Sequence, residues 1–189
     1  MELFEYIAVF TSIVAGLGVT HLLQGVARLI QHPGRKQLYW VHLVWVVYTF
    51  YTIIFWWWWE FRFVQVEVWT FPLYLFVISF ALVLYLLCVL LFPSELGEYA
   101  GFKGYFYSRR RWFFGLLTLF FLFDFLDTWL KGSDYFFSLG TEYMVSSIAQ
   151  PTGCVIGMFS KNERYHSVFA VLSLAYQLSW ALRFYQTVG

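Results

Sequence analysis

Long apolar runs separated by short polar stretches organise this chain, and six of the runs can cross a bilayer. They cover about Phe4–Ile30, Leu38–Trp59, Trp69–Phe92, Trp112–Leu130, Tyr135–Phe159 and Tyr165–Val188. A hydrocarbon core about 30 Å thick needs roughly 20 apolar residues in helical form. Backbone groups in lipid must bond internally, so such runs predict helices packed as a bundle. Stretches such as Leu82–Leu91 show none of the alternation that a membrane β-barrel requires. The pattern predicts an all-α, polytopic transmembrane helical bundle of about six spans, with residues 1–189 forming a single transmembrane domain.

Composition agrees. The chain is 61% hydrophobic and 25% aromatic but only 12% charged, about half the charge of a soluble domain. Its aromatic surface is more than a soluble core of this length can bury, so lipid must cover part of it. The net charge of +1 gives no reason to expect a nucleic-acid partner. Cys88 and Cys154 both lie in apolar runs and read as buried thiols.

Charge position adds an orientation. Arg28, Arg35, Lys36, Lys103, Arg109, Arg110, Arg111, Lys161 and Arg164 flank the connections after spans one, three and five. These are nine of the twelve basic residues; Arg62, Lys131 and Arg183 fall at the other side. Basic residues favour the cytoplasm. Both termini are therefore expected outside, with loops 31–37, 93–111 and 160–164 inside. The Arg109–Arg111 cluster reads as an anchor to anionic headgroups.

Span one is rich in small residues, including Ala8, Ala15, Gly16, Gly18 and Gly25. Small residues let helices approach closely, so span one is expected at the centre of the bundle. Span three, nearly all large and apolar, is expected to face lipid. Within span one, His21, Gln24 and Arg28 are spaced for one face, giving an inner polar face that reads as a set of packing groups. The Trp56–Trp59 run, followed by Glu60 and Arg62, reads as an interfacial aromatic belt; a ligand-binding aromatic box is the alternative.

The candidate chemistry gathers in span four. Asp124 and Asp127 interrupt an oily helix at roughly 18 Å and 22 Å beyond Trp112. Ionisable groups at such depth are costly and face protein or water. The two share a face, and Lys131 returns to it. One reading is a structural clasp: Asp127 with Lys131, and Asp124 with Arg183 of span six. The other is a cation or proton path past Asp124 from an acidic mouth that includes Glu60. Span five supplies a second candidate. Gln150, Pro151, Thr152 and Gly153 interrupt its middle, and proline removes a helical hydrogen bond. A broken helix at that depth is a recurrent feature of transport sites.

Several motifs are absent. The sequence holds no phosphate-binding glycine loop, no Cys-x-x-Cys pair, no His-Glu-x-x-His and no Gly-x-Ser-x-Gly. No catalytic residue or metal ligand is expected. No cofactor is expected either; haem held by histidines is a minor alternative, because His21, His32, His42 and His166 form no evident pair at equal depth.

The block Gly16-Leu17-Gly18-Val19-Thr20-His21-Leu22-Leu23, the Trp56–Phe61 stretch, and Arg109–Phe114 followed by Asp124 and Asp127 resemble a group of short bacterial multi-pass membrane proteins. No activity accompanies that resemblance. It implies a location in the bacterial inner (plasma) membrane and nothing chemical. Two functions follow from the residues themselves. One is a small cation or proton channel or transporter, working as a homo-oligomer because a 22.5 kDa bundle leaves little room for its own pore. The other is a non-conducting accessory or scaffold subunit that binds a membrane partner.

Overall fold

The computed structural model describes residues 3–31, 38–66, 68–94 and 96–184. Most of loop 31–37, with His32, Arg35 and Lys36, lies outside the described residues. So do Glu2, Glu67, Glu95 and the last residues of span six, including Gln186.

Seven helices make up the described chain: α1 Leu3–Gln31, α2 Trp40–Glu60, α3 Phe71–Leu91, α4 Gly101–Leu130, α5 Ser133–Ser138, α6 Gly140–Phe159 and α7 Glu163–Phe184. A 3-10 turn, Phe61–Gln65, extends α2. There is no strand among the described residues. Five helices, α1, α2 with its turn, α3, α4 and α7, are long and apolar enough to cross a membrane. The chain is thus a helical membrane protein. Of the expected spans the fifth is left, and it falls mainly on α6. That helix is 20 residues long, but Glu142, Ser146, Ser147, Gln150 and Thr152 make it more polar than the others.

Local sequence explains the helix ends. Thr70 caps α3, its hydroxyl accepting from the Leu73 amide at 3.4 Å, and proline follows in the first turn. Beyond α4 the chain turns at Gly132, where φ is +124°, and again at Gly140, where φ is +75°. Those left-handed values suit glycine. Gly132 precedes the expected fifth span, and Gly140 divides that span into the short α5 and the longer α6.

The expected division of central and peripheral helices is reversed. α3 packs against α1, α2 and α4, whereas α1 meets only α2 and α3 among its main neighbours. Phe80, Ala81, Leu84 and Cys88 of α3 are fully buried, while Val9, Ile13 and Leu17 of α1 are exposed. Small residues in α1 do permit close approach, but along a single seam. A side chain at Gly25 would collide with the Phe92 ring, and one at Gly18 would meet Cys88 Sγ at 3.2 Å. Close approach on one face does not make a helix central.

The connection after α3 also differs from expectation. α4 begins at Gly101, eleven residues before the expected span, because Phe102, Tyr105 and Phe106 bury themselves against the bundle. The three arginines therefore sit inside a helix. Arg110 is buried and donates from Nε to the Ser160 carbonyl just past α6 at 3.0 Å. Arg109 bonds the Tyr99 hydroxyl, and Arg111 lies over the Phe159 ring. Of the three, Arg110 is a packing residue and not a headgroup anchor.

α6 is not broken. It continues through Pro151, correcting the expected interruption at Gln150, Pro151 and Gly153. Gly153 serves close packing: a Cβ there would stand 2.5 Å from the Phe169 ring. The Tyr165 hydroxyl donates to the Gly153 carbonyl and ties α7 to the same place.

Candidate functional site

α2 and α4 meet sparsely, as do α6 and α7. The gap between these four helices opens into a cavity of about 140 Å³ at the end where α2 and α4 finish, with α5 contributing Tyr135. Asp124, Asp127, Thr128 and Lys131 of α4 line it, together with Tyr48, Thr52, Trp56 and Trp59 of α2. Tyr143 and Gln150 come from α6, and Tyr176, Gln177 and Trp180 from α7.

A buried ion cluster forms one wall. Lys131 Nζ lies 2.5 Å from Asp127 Oδ2 and 3.2 Å from Glu60 Oε1. The lysine side chain is only 3% exposed, and its ammonium also stands 4.7 Å from the Phe63 ring centre. Glu60 lies beside Asp127, so two carboxyl groups share one ammonium. Asp127 Oδ1 accepts no hydrogen bond.

Asp124 is one turn further into the bundle. Its Oδ2 is 3.0 Å from the Tyr143 hydroxyl, which is also 2.8 Å from Thr128 Oγ1. A phenol has one proton to give and lone pairs to accept with. Tyr143 can therefore donate to Asp124 while the Thr128 hydroxyl donates to Tyr143. The expected pairing of Asp124 with Arg183 does not occur. Arg183 instead grips Glu142 with two bonds, of 2.8 and 2.6 Å, and both partners are largely exposed. Glu142, in the first turn of α6, reaches Arg183 from outside the cavity and leaves Asp124 without a cation of its own.

Two further polar pairs continue inward. Gln177 Nε2 donates to Thr52 Oγ1 at 2.6 Å, and Ser173 Oγ donates to Gln150 Oε1 at 3.2 Å. Below them the same four helices close on aromatic rings. Trp45, Phe114 and Phe169 are in mutual contact, and Phe114 is about 15 Å along α4 from Asp124. This aromatic layer stoppers the bundle beyond the residues that line the cavity.

At the rim, Arg62 lies 4.5 Å from the centre of the Tyr135 ring and 5.0 Å from that of Trp59. The tryptophan run divides as its helical spacing requires: Trp56 is buried and Trp57 and Trp58 are exposed.

The inner polar face of α1 does not join the site. His21 Nε2 pairs with the Phe92 carbonyl at 3.0 Å, Arg28 is half-buried, and Gln24 points outward. His42 and His166 are likewise held by the Leu91 and Ser160 carbonyls. Among the described residues, no three His, Cys, Asp or Glu side chains converge as metal ligands. Tyr143, Thr128 and Gln177 were not singled out by the sequence. For Tyr143 and Gln177 the spacing within polar α6 and α7 is the signal: Tyr143, Ser147 and Gln150 share one face, as do Ser173 and Gln177, while Thr128 of α4 follows Asp124 by four residues.

No family model matches this chain, and neither a curated protein nor a solved structure matches it.

Proposed function

We propose that the protein is a six-span inner-membrane protein, with both termini outside, that takes a small cation or a proton into the α2–α4–α6–α7 cavity and passes it across the membrane. The carrying observation is the charge count. Asp127 and Glu60 share one ammonium, that of Lys131, in a low-dielectric setting, and Asp124 lines the same cavity with no ion pair among the described residues. Uncompensated buried charge is strongly unfavourable, and an incoming cation or proton relieves it. The nine-to-three distribution of basic residues supports the orientation, which puts the cavity mouth outside. α6 then crosses as the fifth of the six spans, its polar face turned to the cavity and away from lipid. The aromatic stopper favours a carrier that opens alternately over a permanently open channel. The resemblance noted in the sequence supports a bacterial inner membrane.

The homo-oligomeric state belongs to the same proposal. α7 has only 11% of its apolar window buried within the bundle, which leaves a face for a second copy. The same exposed face favours a second reading, a non-conducting accessory subunit that docks a membrane partner. Ion flux into liposomes containing only this protein separates the two. Cation-dependent flux supports transport. Sealed vesicles that contain folded protein leave the accessory reading.

A further inference from the structure

The cavity lining joins the carboxylates of Asp124 and Asp127, beside Lys131, to a set of aromatic rings and several neutral polar side chains. From this we infer that its ligand is a small organic ammonium ion and not a metal ion; the inference rests on the reading of the cavity as a cation site. The volume, about 140 Å³, is close to that of an engineered cavity of ~150 Å³ that binds benzene. It therefore suits a ligand of a few heavy atoms. Tyr48, Trp56, Tyr143, Tyr176 and Trp180 line it from α2, α6 and α7, together with Asp124 and Asp127 of α4. Ring faces attract cations, and the attraction grows when water is excluded.

A bare metal ion meets poorer terms. It needs several oxygen ligands at short range, and among the described residues the acids do not converge on one point. Asp127 and Glu60 are already engaged with Lys131. The half-buried Asp124 is left to face the cavity. An independent feature marks the same place: Asp127 is 4% exposed, lines the cavity, and its Oδ1 accepts no hydrogen bond. Glu60 beside it can fill that role only when protonated. The rim shows the same recognition inside the protein, where the Arg62 guanidinium lies over Trp59 and Tyr135.

The test is calorimetric titration of the purified, folded full-length protein with tetramethylammonium, and with neopentyl alcohol as the uncharged counterpart. Saturable binding of the ammonium alone is expected. Asp124→Asn should weaken it at least tenfold. Tyr176→Phe should keep the affinity, and Tyr176→Leu should weaken it several-fold, because the ring face and not the hydroxyl is used. Absence of ammonium binding by the folded protein, equal binding of the alcohol, or equal affinities of the Leu and Phe variants would overturn the inference. Proton or sodium flux without ammonium binding would sink this ligand class and leave the transport reading standing. Ammonium binding by a protein that supports no flux would uphold the site and sink transport.

Discussion

Lys131 Nζ and Asp127 Oδ2 lie 2.5 Å apart where α4 ends, with Oε1 of Glu60 in α2 3.2 Å from the same ammonium. The pair joins one helix to itself; the lysine and Glu60 join two helices. All three side chains are almost completely buried. Removing one partner from such a cluster costs more than the pair contributes, because charge is left without compensation. Lys131→Met is therefore expected to destabilise the protein by about 3–5 kcal/mol. Adding Glu60→Gln and Asp127→Asn should recover much of the loss. Thermal unfolding in detergent reads both effects, and a triple variant as unstable as Lys131→Met would refute the account of the cluster.

The pair of Arg183 with Glu142 should behave differently. Both side chains are over two-fifths exposed, and exposed ion pairs contribute about 0–1 kcal/mol. Arg183→Gln should shift stability within that range and leave the cavity intact. A large loss would mean that Arg183 supports Asp124 after all, as the clasp reading of the sequence expects.

The seam between α1 and the chain following α3 gives a packing prediction. A methyl group at Gly25 enters the Phe92 ring, and overpacking of this kind costs about 1–3 kcal/mol. Gly25→Ala should lower the melting temperature, and Phe92→Leu in the same chain should restore part of it. No rescue by the smaller side chain would show that Gly25 is needed for its backbone and not for its lack of a side chain.

Orientation can be read at exposed positions. Gly97, exposed and with open space around it, and Asp134, exposed in α5, lie at opposite ends of the proposed topology. Cysteine placed at Gly97 should react with an impermeant thiol reagent only after the membrane is opened. Cysteine at Asp134 should react in intact cells. The reverse pattern would invert the cavity mouth and the direction of the proposed path.

Much of the fold can be read from hydropathy, because lipid imposes a length and an apolarity on each helix. The ranges of α1, α2, α3 and α7 lie within a few residues of expectation. Two features escape that logic. Gly140 divides the fifth run through its backbone dihedrals, which hydropathy does not register. α4 begins early because Phe102, Tyr105 and Phe106 find a buried surface, a tertiary effect. At the site, the spacing of Asp127 and Lys131 already puts them in reach, since a helix brings residues four apart together. The partner of Asp124 is not local. Tyr143 reaches it only because α4 and α6 pack side by side and α5 turns the chain back, and no spacing rule encodes that. Arg183 is expected at about the depth of Asp127 or slightly beyond, but depth alone does not choose between Asp124 and Glu142 as its partner.

The central claim is that Asp124 receives the transported cation. Its most direct test is flux into proteoliposomes containing wild-type protein or Asp124→Asn, at equal protein content and with melting temperatures measured alongside. The carboxamide keeps an oxygen for the Tyr143 hydroxyl, so the fold should survive with a loss no larger than that of one hydrogen bond, about 1 kcal/mol. The expected result is a folded variant whose flux is abolished or altered in ion preference. A well-folded Asp124→Asn protein with wild-type flux would contradict the account at this residue.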